Sequence, residues 1–139
     1  MLGAMIGDIV GSVYEWHNIK STDFAFFQDR CFFTDDTVLT AATAKALMTH
    51  GDYTAAYQDF ARRYHRRGYG GNFSQWIWSE DPQPYDSWGN GSAMRISPVG
   101  FAFDSVEEVL AEAERSAAVT HNHPEGIKGA KSTALAILM

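Results

Sequence analysis

Apolar residues along this chain recur three and four positions apart, and no run of alternating residues is flanked by hairpin turns, so the pattern predicts helices throughout. From residue 35, Val38, Leu39, Ala42, Ala46 and Leu47 share one face of a helix expected to run from Asp35 to His50, with Gly51 as its stop. Asp52 then caps a helix whose Tyr53, Tyr57, Phe60 and Tyr64 form an aromatic stripe, read as core, while Asp59, Arg62, Arg63 and Arg66 take other faces. Ser105 and Glu108 make a capping box ahead of Val106, Val109, Leu110, Ala113 and Ala117, the most regular amphipathic stretch. A last helix begins near Pro124 and carries Ala134, Leu135 and Leu138 to Met139 with no glycine stop or polar tail, as though the chain were cut.

Other stretches are less regular. Residues 2–16 are rich in small side chains (Gly3, Ala4, Gly7, Gly11, Ser12), which lowers helix propensity but permits close approach of a neighbour; a buried helix is expected there. Gly68 to Gly91 reads as a long structured loop with one helical piece around Ser74 to Ser79. The Gly-rich turn after Ser87 leads into a helix expected to continue past Ser97 until Pro98 perturbs it. No internal repeat, low-complexity tract or linker is visible, so residues 1–139 form one all-α domain.

Composition narrows the function. With 139 residues, 45% of them hydrophobic, the chain has the size of one domain and can bury roughly two thirds of its unfolded surface. A net charge of −6 and a pI near 5.2 speak against a general binder of nucleic acid or anionic membrane. The one basic cluster, Arg62, Arg63, His65, Arg66 and Arg67, lies where it complements a helix C-terminus. An acidic protein that binds an anionic ligand needs metal ions or exposed helix amides to do so. The single cysteine, Cys31, has no internal partner, which points to a reducing compartment and a cytoplasmic protein. The start MLGAMIGDIVGS has no basic leader region, and no apolar run reaches the length of a membrane span, so a soluble protein is expected.

Four segments could carry chemistry. Thr34-Asp35-Asp36 sets a hydroxyl and two carboxylates at a helix start, three hard oxygens of the kind Mg²⁺ prefers; the plainer reading is a helix cap with a dipole-complementing acid. Asp8 and Glu15 interrupt a small, apolar segment and, seven residues apart, lie on one face of the expected helix, where a buried carboxylate needs a cation or donors. Ser87-Trp88-Gly89-Asn90-Gly91 offers backbone amides to a phosphate and an indole to a base, although such turns are also common without a ligand. His121 and His123 precede the last helix; no cysteine cluster accompanies them, so zinc is not expected.

Taken together, GAMIGDIVGSVYE, FTDDT, GNGSAMR and THNHPEGIKGA resemble, in order and spacing, the ADP-ribosylglycohydrolase family, which includes the dinitrogenase reductase activating glycohydrolase and the animal ADP-ribosyl hydrolases. The resemblance implies an orthogonal all-α bundle with two Mg²⁺ ions at the floor of an ADP-ribose cleft. By position, Thr34, Asp35 and Asp36 match metal ligands, and Glu15 matches a glutamate linked to catalysis, with Asp36 as the other carboxylate able to take a proton. Ser87, Trp88, Gly89, Asn90 and Gly91 match the loop that wraps the diphosphate and riboses, His121 matches a cleft residue, and Asp8 is given a supporting role. The family's later Asp-x-Asp-Thr motif, which supplies the remaining ligands, has no counterpart: the only aspartate after residue 100 is Asp104. The expected activity is Mg²⁺-dependent cleavage of the glycosidic bond between ADP-ribose and a modified protein side chain or small acceptor. The rivals are a noncatalytic ADP-ribose-binding module, a crystallin-like structural member, and the inactive half of a split enzyme that self-associates or pairs with a C-terminal half.

Overall fold

Side-chain oxygens that take up orphan backbone amides set several of the helix starts. The computed structural model describes all residues, 1–139, as eight helices and no strand. They are α1 (Leu2–Gly11), α2 (Asp35–Met48), α3 (Tyr53–Arg63), α4 (Gly71–Trp76), α5 (Gly91–Met94), α6 (Ser97–Ala102), α7 (Val106–Ala118) and α8 (Pro124–Leu138). The Thr34 hydroxyl accepts from Asp36 N at the head of α2, and Asp52 accepts from Thr54 N at the head of α3. Ser105 accepts from Glu108 N and donates to the Glu108 carboxylate at 2.8 Å, closing the box that begins α7.

Two cores form. Leu39, Ala42 and Ala46 of α2 meet Tyr53, Tyr57 and Ala61 of α3 and Phe73 and Trp76 of α4. Val99 of α6, Val109, Ala113 and Ala117 of α7, and Ala130 and Ala134 of α8 make the second, whose small residues let the helices approach closely. Gly100 marks the tightest point: a Cβ there would lie 2.6 Å from Ala134 O and 2.7 Å from Ile137 Cβ. A buried polar seam joins the cores, in which the Tyr57 hydroxyl bonds Thr43 Oγ1 at 3.0 Å and Ser116 Oγ at 2.6 Å, and Tyr53 donates to Glu112.

Several expectations change. The first helix ends at Gly11 rather than 16, and Val10 is its only buried residue, so it is not a buried helix within these residues. Glu15 therefore lies in the turn beyond α1 and not on a common helical face with Asp8. At the end of α2 it is His50, not Gly51, that takes the left-handed conformation, with φ 46°; the Gly51 amide then closes onto Ala46 O. Of the aromatic stripe, Tyr53 and Tyr57 are core, but Tyr64 is exposed and Ala61 takes the next buried position. The short helical piece of the long loop sits earlier, at Gly71–Trp76. The helix expected through Ser97 is broken at Arg95 and Ile96 into α5 and α6, with Pro98 accommodated in the first turn of α6.

Candidate active site

The cleft lies where the two cores meet. A cavity of about 420 Å³ is lined by Asp35 and Leu39 of α2, Gly71, Asn72 and Phe73 of α4, Ser87, Gly89, Asn90 and Gly91 of the Gly-rich loop, and Tyr85, Met94, Arg95 and His121. That size suits a small organic ligand.

One wall is acidic. Asp8, near the end of α1, accepts four hydrogen bonds from the start of α2: from Thr34 N at 2.8 Å, Thr34 Oγ1 at 2.5 Å, Thr37 N at 3.2 Å and Thr37 Oγ1 at 2.5 Å. It therefore caps α2 from outside and fixes the turn that presents Asp35 and Asp36. Asp35 N donates to Arg67 O, and the Arg67 guanidinium, 3.7 Å over the Phe33 ring, donates to Phe33 O, which anchors the approach to the turn from the other side. Burial and the adjacent Asp36 carboxylate push the Asp35 carboxyl up to about 6. Asp36 is raised as well, by burial and then by Asp8 and Glu15. Carboxylates raised in this way are poised for a cation. Glu15, exposed in its turn, thus belongs to the same acidic field as the metal-type residues.

The donor set fits part of a Mg²⁺ shell. Thr34, Asp35 and Asp36 supply hard oxygens from a single turn, but no group of three or more His, Cys, Asp or Glu side chains is gathered closely enough to hold an ion.

The facing wall is built of backbone. The Tyr85 amide bonds Thr120 O at 3.4 Å, the Asp86 amide bonds Asn122 Oδ1 at 2.7 Å, and Asp86 itself takes a positive φ of 53°. A Cβ on Gly126 would lie 2.6 Å from Ser87 O, so the loop is seated directly on the start of α8. Gly89 N is held by Ser87 Oγ, whereas no hydrogen bond within the protein takes the amides of Trp88, Asn90 and Gly91. These are the donors a phosphate would use. Trp88 is 74% exposed and lies outside the cavity wall. His121 is buried at its edge, with Nδ1 2.8 Å from Thr120 Oγ1; burial and the Arg95 charge push its pKa down to about 4.

Arg95, Tyr85 and the Gly71-Asn72-Phe73 edge were not singled out from the sequence, and the first had a readable signal. A lone cation in the otherwise small and apolar run Ser92-Ala93-Met94-Arg95-Ile96 has to be buried, and a buried cation needs a reason.

Residues 1–139 match the family model for ADP-ribosylglycohydrolase. The chain is also similar to proteins named ADP-ribosylhydrolase ARH3. It is 30% identical to that of Mus musculus over 172 residues, covering 99% of this chain and 46% of the relative. It is 28% identical to that of Homo sapiens over 172 residues, covering 99% and 47%, and 26% identical to that of Xenopus tropicalis over 170 residues, covering 99% and 48%. The chain thus spans about half the length of the curated relatives it matches.

Proposed function

The chain belongs to the ADP-ribosylglycohydrolase family, and from that premise we propose that it supplies the nucleotide cleft and the first half of the metal site of a Mg²⁺-dependent hydrolase. The bond cleaved joins ADP-ribose to a modified protein side chain or a small acceptor. The observation that carries this reading is a single cavity with Asp35 on one wall and, on the other, a Gly-rich loop whose Asn90 and Gly91 amides lack partners. That arrangement suits a ligand with a polar sugar at one end and phosphates at the other.

Thr34, Asp35 and Asp36 would hold Mg²⁺, which supplies a Lewis acid able to orient ribose hydroxyls and lower the pKa of water. The protein's own residues do the rest. Asp8 holds the ligand turn rigid through its four hydrogen bonds. The Gly-rich loop binds phosphate oxygens through backbone amides, and His121 contributes a ring nitrogen at the edge of the cleft. Glu15 or Asp36 takes the proton of the attacking water, in keeping with the raised proton affinity of Asp36.

A second reading rests on the two carboxylates of the ligand turn, which lack a third acidic partner close enough to complete a site. Under it the chain binds ADP-ribose without turnover. Peptides carrying ADP-ribose on arginine or serine, incubated with the 139-residue chain with and without Mg²⁺, separate the two. Mg²⁺-dependent release of ADP-ribose, by the chain alone or once a segment carrying an Asp-x-Asp-Thr motif is added, is expected from the first reading; calorimetric binding of ADP-ribose without release in either case would favour the second. Neither binding nor release would defeat both.

A further inference from the structure

Arg95 follows directly on α5, is fully buried, and has no carboxylate partner. Its guanidinium carbon lies 4.0 Å over the Tyr57 ring, and Nη2 donates to Ser116 O and to Thr120 Oγ1, each at 2.9 Å. Nε and Nη1 have no partner at all. An uncompensated buried guanidinium is costly, so its position against the cleft calls for a use.

Donor arithmetic supplies one. Guanidinium can only donate, so Thr120 Oγ1 must accept from Arg95. Thr120 is fully buried, and its single hydroxyl proton needs an acceptor. Its one remaining hydrogen-bond neighbour is His121 Nδ1, at 2.8 Å. Both bonds of Thr120 form when its hydroxyl accepts from Arg95 and donates to His121 Nδ1. A neutral ring whose Nδ1 accepts must carry its proton on Nε2.

We propose that Arg95 and Thr120 are positioning residues that lock His121 as an uncharged Nε2–H donor at the edge of the cleft, for an acceptor oxygen of the bound ligand. That the oxygen belongs to ADP-ribose rests on the function proposed above; the lock itself does not. Nε2 has no partner within the protein and looks toward Gly91, where a Cβ would stand 2.9 Å from it. Any side chain at 91 would therefore cover the donor. Burial and the facing Arg95 charge both oppose a second ring proton, so the donor stays neutral around pH 7. Tyr85 is the other titratable group facing it, with ring centroids 6.1 Å apart, and burial raises its pKa, so it too stays uncharged there.

Long-range ¹H–¹⁵N NMR of the labelled 139-residue chain at pH 7 reads the tautomer directly, with His121 assigned among the five histidines by its loss in His121→Asn. The Nε2–H form is expected in the wild type and in Thr120→Ser, which keeps the hydroxyl. Thr120→Val should mix the tautomers and weaken ADP-ribose binding about tenfold, as expected for loss of one oriented hydrogen bond, while Thr120→Ser restores it. An Nδ1–H or doubly protonated wild-type ring would overturn the proposal, and that spectrum decides even if Thr120→Val does not fold. A Thr120→Val protein that keeps the Nε2–H form would overturn it equally. A locked Nε2–H ring in a chain that binds no ADP-ribose would leave the lock standing and refute the nucleotide reading.

Discussion

At the scale of single residues, the acidic cluster at the start of α2 combines one satisfied carboxylate with two unsatisfied ones. Asp8 accepts four hydrogen bonds and so gains from its charge. Removing it in Asp8→Ala should cost about 2–3 kcal/mol, as charge-assisted bonds are lost, and should loosen the Thr34–Thr37 turn; urea denaturation and amide exchange at residues 34–37 would check both. Asp35 is the opposite case. Its folded carboxyl is raised from the ordinary 3.8 to about 6, first by burial and then by Asp36, so between those pH values the native state holds a proton that the unfolded chain has released. This contribution to stability is present below pH 3.8 and is lost as pH rises through 6. Without divalent cation, Asp35→Asn should therefore be the more stable protein above pH 6, while losing any rise in melting temperature caused by Mg²⁺. A mutant that melts lower than wild type in chelator at pH 8 would show that the Asp35 charge carries no such cost, and one that keeps the Mg²⁺ response would remove Asp35 from the metal site.

At the scale of elements, close helix approach sets the geometry of the cleft. α6 touches α8 through Gly100, and the Gly-rich loop touches α8 through Gly126, so α8 is the floor on which the second core and that loop both rest. Gly100→Ala would drive a methyl group against the Ala134 carbonyl and Ile137, and overpacking of that kind costs roughly 1–3 kcal/mol. Thermal unfolding should show the loss; an unchanged melting temperature would mean that α6 and α8 slide apart freely. The Ser105 cap and the Asp52 cap lie away from the cleft and were legible from sequence, because capping is decided within one turn.

At the scale of the whole molecule, the surface left uncovered is large and apolar. Leu2 and Ile6 on α1, Trp16, Phe26 and Phe27 in the segment after it, and Phe101 are all exposed. The apolar residues of the last helix, which has no polar tail, are covered in part: Ala134 is buried, and Leu138 rests on the second core. Exposed apolar surface of this kind seeks a partner, so self-association or pairing with a C-terminal half is still the expected outcome, with its origin moved to the other end of the chain. Light scattering across micromolar concentrations should show species larger than one chain, and Ile6→Asp with Phe27→Asp should reduce them. A stable monomer with one cooperative unfolding transition would contradict this.

By itself the sequence determined what depends on neighbours along the chain: helical class from the 3.6-residue period, helix starts from Thr34, Asp52 and Ser105, and the family from four ordered motifs. The motifs also carried six of the cavity's 14 lining residues, since Asp35, Ser87, Gly89, Asn90, Gly91 and His121 all reach it. What the tertiary structure alone decided involves residues far apart in sequence. Asp8 meets Thr34 and Thr37 only because α1 lies against the start of α2, Arg95 meets Thr120 only because α5 lies against the end of α7, and Trp88 stays exposed outside the wall although its neighbours Ser87, Gly89, Asn90 and Gly91 line it. α1 reads as buried because small residues invite a neighbour, but burial depends on whether that neighbour is present, and none of the other seven helices covers its outer face. Periodicity fixes which face of a helix is apolar; only packing decides what, if anything, that face meets.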